Sequence, residues 1–313
     1  MARLPCRNVV YPLPPAFRES ANGGSSLDLP QTTAYVRYLY ENGARVFMTT
    51  CGTSQYNLLT GDEILDFNTT ISRDLPPGAS LIAGLPVASQ DELLGKWIPS
   101  FNRLNVRALL ALFPERYYSE REVLDFFGAL ATASNEELWI HGIPFTDRSH
   151  ERRVFSPSLI SKLKEIPNIG GLKEESLSNL NMAYEVAREA TSNFSVVVAG
   201  GSARRFLLTH GYAQSYLAGI GSFFPQIEEA IFSYMQAGEV VKAQKIIQKY
   251  EDPLFDLSGQ LGWHVLMRHG LAALGYLPSL NRAPFPRFDS EVARTVHGKL
   301  IDMKQAWGNE THE

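Results

Sequence analysis

The sequence is short of cysteine, of long apolar runs and of charge of one sign. Among 313 residues there are two cysteines, Cys6 and Cys51, which make neither a disulfide framework nor a zinc spacing. His264 and His269 are not spaced for one helical face, so no metal and no cofactor is expected. No apolar run approaches the roughly 20 residues that span a bilayer, and the opening stretch MARLPCRNVVYPLPPAF has no continuous signal-peptide core. A cytoplasmic location without a membrane partner is the expectation. Lys and Arg number 29 against 33 Asp and Glu, a formal net charge of -4. Neither a global basic excess nor a local basic patch is there to attract nucleic acid.

What is present is alternation. Short β-branched or aliphatic runs, NVVY from Asn8, ARVFMTT from Ala44, SLIAGLP from Ser80, VRALLALF from Val106, LWIHGIP from Leu138, IGGLK from Ile169, SVVVAG from Ser195 and QSYLAG from Gln214, are separated by longer segments of helical period. That pattern marks a parallel sheet of βα units. LPQTTAYVRYLYENG ends in a glycine suited to a helix C-terminus, and SEREVLDFFGALATAS opens on a serine cap with Glu122 three residues on. Eight units fit a (β/α)8 TIM barrel over residues 1–236. Residues 237–313 then form a helical extension packed on the barrel, about three helices broken by Asp252, Pro253, Pro278 and NRAPFPRF. No flexible linker divides the chain. Periodicity alone fits an open doubly wound sheet equally well.

In a barrel, chemistry belongs where strands end. Lys173 ends the run IGGL, and a lysine at a barrel mouth loses part of its hydration, which lowers its pKa and frees an amine to attack a carbonyl. KEES also reads as an ordinary helix start, with acids near the positive end of the helix dipole. Gly52, Thr53 and Ser54 follow the second strand and offer donors for a carboxylate, or form a plain polar turn. His141, ending the fifth run, and Tyr117 or Tyr118, after the fourth, are groups able to move protons, or else structural residues. AGGS at 199–202 and GIGS at 219–222 lack a full nucleotide-binding pattern, though Gly219 allows close approach of backbone to substrate.

These positions, in this order, resemble the dihydrodipicolinate synthase and N-acetylneuraminate lyase family of class I aldolases. FSPSLISKLKEIPNIGGLKEES, residues 155–176, is similar to that family's segment leading to its Schiff-base lysine, and GTS at 52–54 to its carboxylate-binding motif. NRAPFP resembles its proline-containing C-terminal segment. The resemblance implies a TIM barrel, a 2-oxo acid substrate such as pyruvate or a 2-keto-3-deoxy sugar acid, and imine chemistry at Lys173. It also implies a homotetramer in which Tyr117 or Tyr118 reaches a neighbouring site. The family usually has Tyr-Asn-x-Pro on strand five, where this chain reads His141-Gly142-Ile143-Pro144. Either His141 replaces the tyrosine in proton transfer, or turnover is lost and the chain is a binding or regulatory homologue. The family's substrate-contacting arginine after that proline has three possible counterparts, Arg148, Arg152 and Arg153.

Overall fold

The computed structural model describes residues 6–21, 23–116, 118–176 and 179–310. Eight parallel strands close a barrel: β1 (Val9–Pro12), β2 (Val46–Met48), β3 (Ser80–Gly84), β4 (Ala108–Leu112), β5 (Glu137–Gly142), β6 (Ile169–Glu174), β7 (Ser195–Val198) and β8 (Ser215–Leu217). Each pairs with its neighbours in chain order, and β8 returns to β1 through Val9↔Tyr216 and Val10↔Leu217. An open doubly wound sheet would leave two edges unpaired. The architecture is therefore the TIM barrel, and each of the eight apolar runs contributes one strand.

The runs are continuous because both faces of every strand are buried. Val10, Met48, Ile82, Leu110, Trp139 and Val197 fill the interior. Their neighbours Tyr11, Phe47, Leu81, Leu109, Ile140 and Val196 pack outward beneath the helices. Trp139 is the largest side chain inside, and its Cα partner on β6 is Gly171. A Cβ at Gly171 would lie 2.6 Å from the indole ring, so only glycine leaves the tryptophan its room.

Helix Leu29–Glu41 starts from Asp28, whose carboxylate accepts from the Gln31 N–H, and helix Glu120–Ala133 carries the capping box of Ser119 and Glu122. The segment after β6 differs from the sequence reading. Its helix begins at Leu180, with Asn179 accepting from the Met182 N–H, so Glu174 ends the strand and Glu175 and Ser176 lie in the loop. The C-terminal region also departs from expectation at Asp252 and Pro253. The helix over Val240–Ile246 runs through a π turn, Ile247–Glu251, straight into Asp252–Leu261. Pro253 falls in the first turn after the π turn, where its missing N–H is tolerated. The chain bends instead at Gly262, and two further helices follow, Trp263–Ala273 and Ser290–Glu310.

Two arginines tie this extension to the loops leaving β1 and β2. Buried Arg268 donates to the Pro15 carbonyl at 2.5 Å and the Leu280 carbonyl at 2.8 Å. Arg282, within NRAPFP, donates to the carbonyls of Ser25 and Leu58 and pairs with Glu63. Those loops sit at the C-terminal ends of the strands, so the extension lies beside the barrel mouth. No helix of the described residues is long and apolar enough to cross a membrane.

Candidate active site

Parallel pairing of β5 and β6 sets Lys173 opposite His141, two residues beyond the Gly171–Trp139 pair. With a side-chain period of two, both point into the barrel at its mouth. Lys173 is 3% exposed and His141 2%. Lys173 Nζ lies 2.6 Å from His141 Nε2. Glu175 completes the group: Lys173 and Glu175 are in direct ionic contact, and the Glu175 Oε1 is 3.3 Å from His141 Nε2. The alternation explains the arrangement, because Glu174 turns outward and Glu175 returns to the side of Lys173.

Burial pulls Lys173 down to about 7, against the opposing attraction of Cys51 and Glu174. Contact with the Glu175 carboxylate likewise favours the ammonium form. His141 is held well below the usual imidazole range, first by burial and then by the nearby lysine charge. It is therefore neutral beside the lysine, with Nε2 an acceptor for the lysine N–H.

Lys173 and Glu175 face a cavity of about 620 Å³, with Ile143 on the same wall; His141 is not a lining residue and stands behind Lys173, in contact with its amine. Gly52 and Thr53 line the cavity from the loop after β2, and Ala199 to Ser202 from the start of the helix after β7. Ser54 does not: its hydroxyl donates to the Leu13 carbonyl at 2.6 Å and accepts from the Thr50 N–H, so it shapes the loop from within. The far wall comes from the C-terminal extension, where Phe255 and Trp263 stack with ring centroids 5.8 Å apart. His264 lies over Gly52, its Cε1 3.5 Å from where a Cβ on that glycine would be. Burial and the Lys173 charge lower its pKa. Sequence reasoning weighed His264 only as a metal ligand and missed Glu175 and Arg205, another cavity residue. The alternation K-x-E was the one local signal for Glu175; Arg205 lies on the helix after β7, and His264 depends on how the extension folds back.

Beneath the cavity, Arg204 is fully enclosed between Glu228 at 2.8 Å and Glu251 at 2.5 Å. Glu251 comes from the π turn. Glu228 also accepts the N–H groups of Gly219 and Gly221, and burial together with Glu251 pushes it up to about 8. Gly219 is thus committed to this cluster, and a Cβ there would come within 2.5 Å of Glu251. Its close approach is to protein rather than to the cavity. Tyr118 is half-buried, edge-on to Phe113 at 4.6 Å, and is not a lining residue; Tyr117 lies outside the described residues. Arg148, Arg152 and Arg153 sit in the hairpin loop after β5 and engage Glu122, Glu115 and Asp147, none lining the cavity. Among the described residues no group of three or more His, Cys, Asp or Glu is placed to hold a metal ion.

The model of the dihydrodipicolinate synthetase family matches residues 16–302. The chain belongs to this family. A family relative, a probable 5-dehydro-4-deoxyglucarate dehydratase from Streptomyces griseus, is 23% identical over 268 residues, 83% of this chain and 79% of the relative. Among solved structures, dihydrodipicolinate synthase from Aquifex aeolicus superposes with a TM-score of 0.81 at 18% identity, over 96% of this chain and 98% of that one. The Agrobacterium tumefaciens dihydrodipicolinate synthase gives a TM-score of 0.79 at 21% identity, over 95% and 97%. At such identities the superpositions speak to the family's barrel fold.

Proposed function

We propose that this family member is a Schiff-base-dependent lyase or dehydratase acting on pyruvate or a related 2-oxo acid through Lys173. The observation that carries the reading is a buried lysine on a cavity wall whose amine is held near neutrality, so that a nucleophile is available at physiological pH. The neutral amine attacks the 2-oxo carbon, the carbonyl oxygen leaves as water, and the iminium draws electrons from the adjacent carbon. Gly52 and Thr53 hold the substrate carboxylate, and His141, neutral and touching Lys173, passes protons to and from the departing oxygen. Ser54 supports this loop rather than the substrate. Tyr118 has a part only if a second copy of the chain brings it to a neighbouring mouth, as in a homotetramer.

Family membership and the dehydratase name of the Streptomyces relative support elimination or cleavage on a sugar-derived 2-oxo acid. The deciding experiment is incubation with pyruvate and borohydride, followed by peptide mass analysis, with Lys173→Ala as control. A reduced pyruvyl adduct on Lys173 is expected. No adduct with pyruvate or with a panel of 2-oxo acids would leave the binding-homologue reading in its place.

A further inference from the structure

Among the described residues Glu175 is the carboxylate in direct contact with the lysine, and no contact of those residues gives it a purely structural task. It caps no helix, because the helix after β6 starts at Leu180 with Asn179 as its cap. Its ionic contact is with Lys173, its Oε1 stands 3.3 Å from Nε2 of the neutral His141, and it lines the cavity while remaining 21% exposed. A surface ion pair contributes little, and a buried lysine held by a carboxylate is weak evidence of a stability role.

We propose, on the basis of the imine reading above, that Glu175 is the catalytic base and acid that moves the proton at C3 of the bound 2-oxo acid. In the iminium, C3 is two bonds from Nζ, so a carboxylate oxygen that touches Nζ reaches the C3 hydrogen without rearrangement of the backbone. The carboxylate takes that proton, the C3–H electron pair forms the C2=C3 bond, and the iminium π pair moves onto nitrogen to give the enamine. Protonated Glu175 returns the proton in the reverse sense, so the balance closes without any further reactant. His141 is left to serve the departing oxygen. The division suits elimination and aldol cleavage alike, since both pass through the enamine.

The groups facing Glu175 fix its electrostatics. Lys173 lies beside it on β6, His141 on β5, and Cys51 lies near the lysine from the loop after β2. His264 faces the lysine from the extension, Arg204 and Arg205 line the cavity from the helix after β7, and Glu174 turns outward to accept from the Ser176 N–H.

The test uses exchange of pyruvate methyl hydrogens for deuterium in D2O, followed by proton NMR, beside borohydride trapping on the same protein. Wild type should trap and exchange. Glu175→Gln should trap at Lys173, with the acid limb of trapping moved to lower pH because an anion beside the ammonium is gone, yet exchange at least about 100-fold more slowly. Glu175→Asp should restore part of the exchange. Equal exchange by wild type and Glu175→Gln overturns the inference. So does loss of trapping along with exchange, which would make Glu175 a support for the lysine only. So too does a pattern in which His141→Phe abolishes exchange and Glu175→Gln does not. Failure of wild type to trap any 2-oxo acid defeats the imine reading itself and is distinguishable from all of these.

Discussion

Lys173 and His141 are Cα partners across β6 and β5, and their side chains meet at 2.6 Å inside the barrel mouth. The pairing couples a nucleophile to an acceptor that carries no charge of its own, so the titration that matters at neutral pH is that of the lysine. Its value near 7 is lowered from the ordinary 10.5. Below 7 the amine is an ammonium ion without a lone pair, and above 7 it is free to attack. Adduct formation with pyruvate should therefore rise through about pH 7 and level off above about 8. A profile still rising toward pH 10 would mean that Glu175 holds the lysine in its charged form more firmly than burial opposes it.

His141→Phe removes the acceptor but keeps a planar ring of similar size in the interior. Turnover of whichever 2-oxo acid proves to be the substrate should fall by about 10² to 10⁴, the range for loss of one acid–base group. Trapping at Lys173 should remain measurable though slower, because the lysine stays buried while the proton for the departing carbonyl oxygen must come from elsewhere. Steady-state kinetics beside trapping separate the two effects. Unchanged turnover would remove His141 from the mechanism.

The fold was legible because each strand is buried on both faces, which writes it into the sequence as a continuous apolar run, as in SVVVAG and VRALLALF. Lys173 was legible for the same reason, being the first charge after such a run. Glu175 was not, because an acid after a strand reads as the start of a helix, and only the cap at Asn179 shows that the helix begins later. His264 was hidden by distance along the chain: the extension must fold back over the mouth before it belongs to the cavity. Pro253 misled because a proline ordinarily ends a helix, whereas here it follows a π turn. Arg148, Arg152 and Arg153 were undecidable in sequence, since the partners of the first two, Glu122 and Glu115, lie on other segments and Arg153 meets Asp147 only once the hairpin has formed.

Gly171 links packing to the site. A valine there would force its Cβ into the Trp139 ring and within 3.0 Å of the Ser195 carbonyl. Overpacking of this kind costs about 1–3 kcal/mol, read as a lower urea midpoint. Because Gly171 and Lys173 share one face of β6, the displaced strand should also slow trapping at Lys173. Trp139→Leu in the same chain should recover most of the stability, by removing the ring that is struck. Failure to recover would place the damage at the Ser195 carbonyl and the β6–β7 ladder.

The cluster beneath the cavity gives a pH-dependent prediction whose sign follows from the carboxylates. Arg204 is the cation between Glu228 and Glu251, and Arg204→Met leaves two buried acids facing each other. Loss of one partner from a buried pair costs about 3–5 kcal/mol. The folded-state pKa of Glu228 is already raised to about 8 by burial and Glu251, above its ordinary 4.5. Without the arginine the Glu228 carboxyl rises further. A folded pKa above the unfolded one means that stability falls as pH climbs from the unfolded value toward the folded one. The variant should thus be only mildly destabilised near pH 5, where Glu228 holds its proton, and strongly destabilised near pH 8.5. Urea unfolding at the two pH values checks this. An equal loss at both would instead assign the cost to packing, since the guanidinium also lies over the Tyr216 ring at 4.9 Å and the Phe255 ring at 5.5 Å.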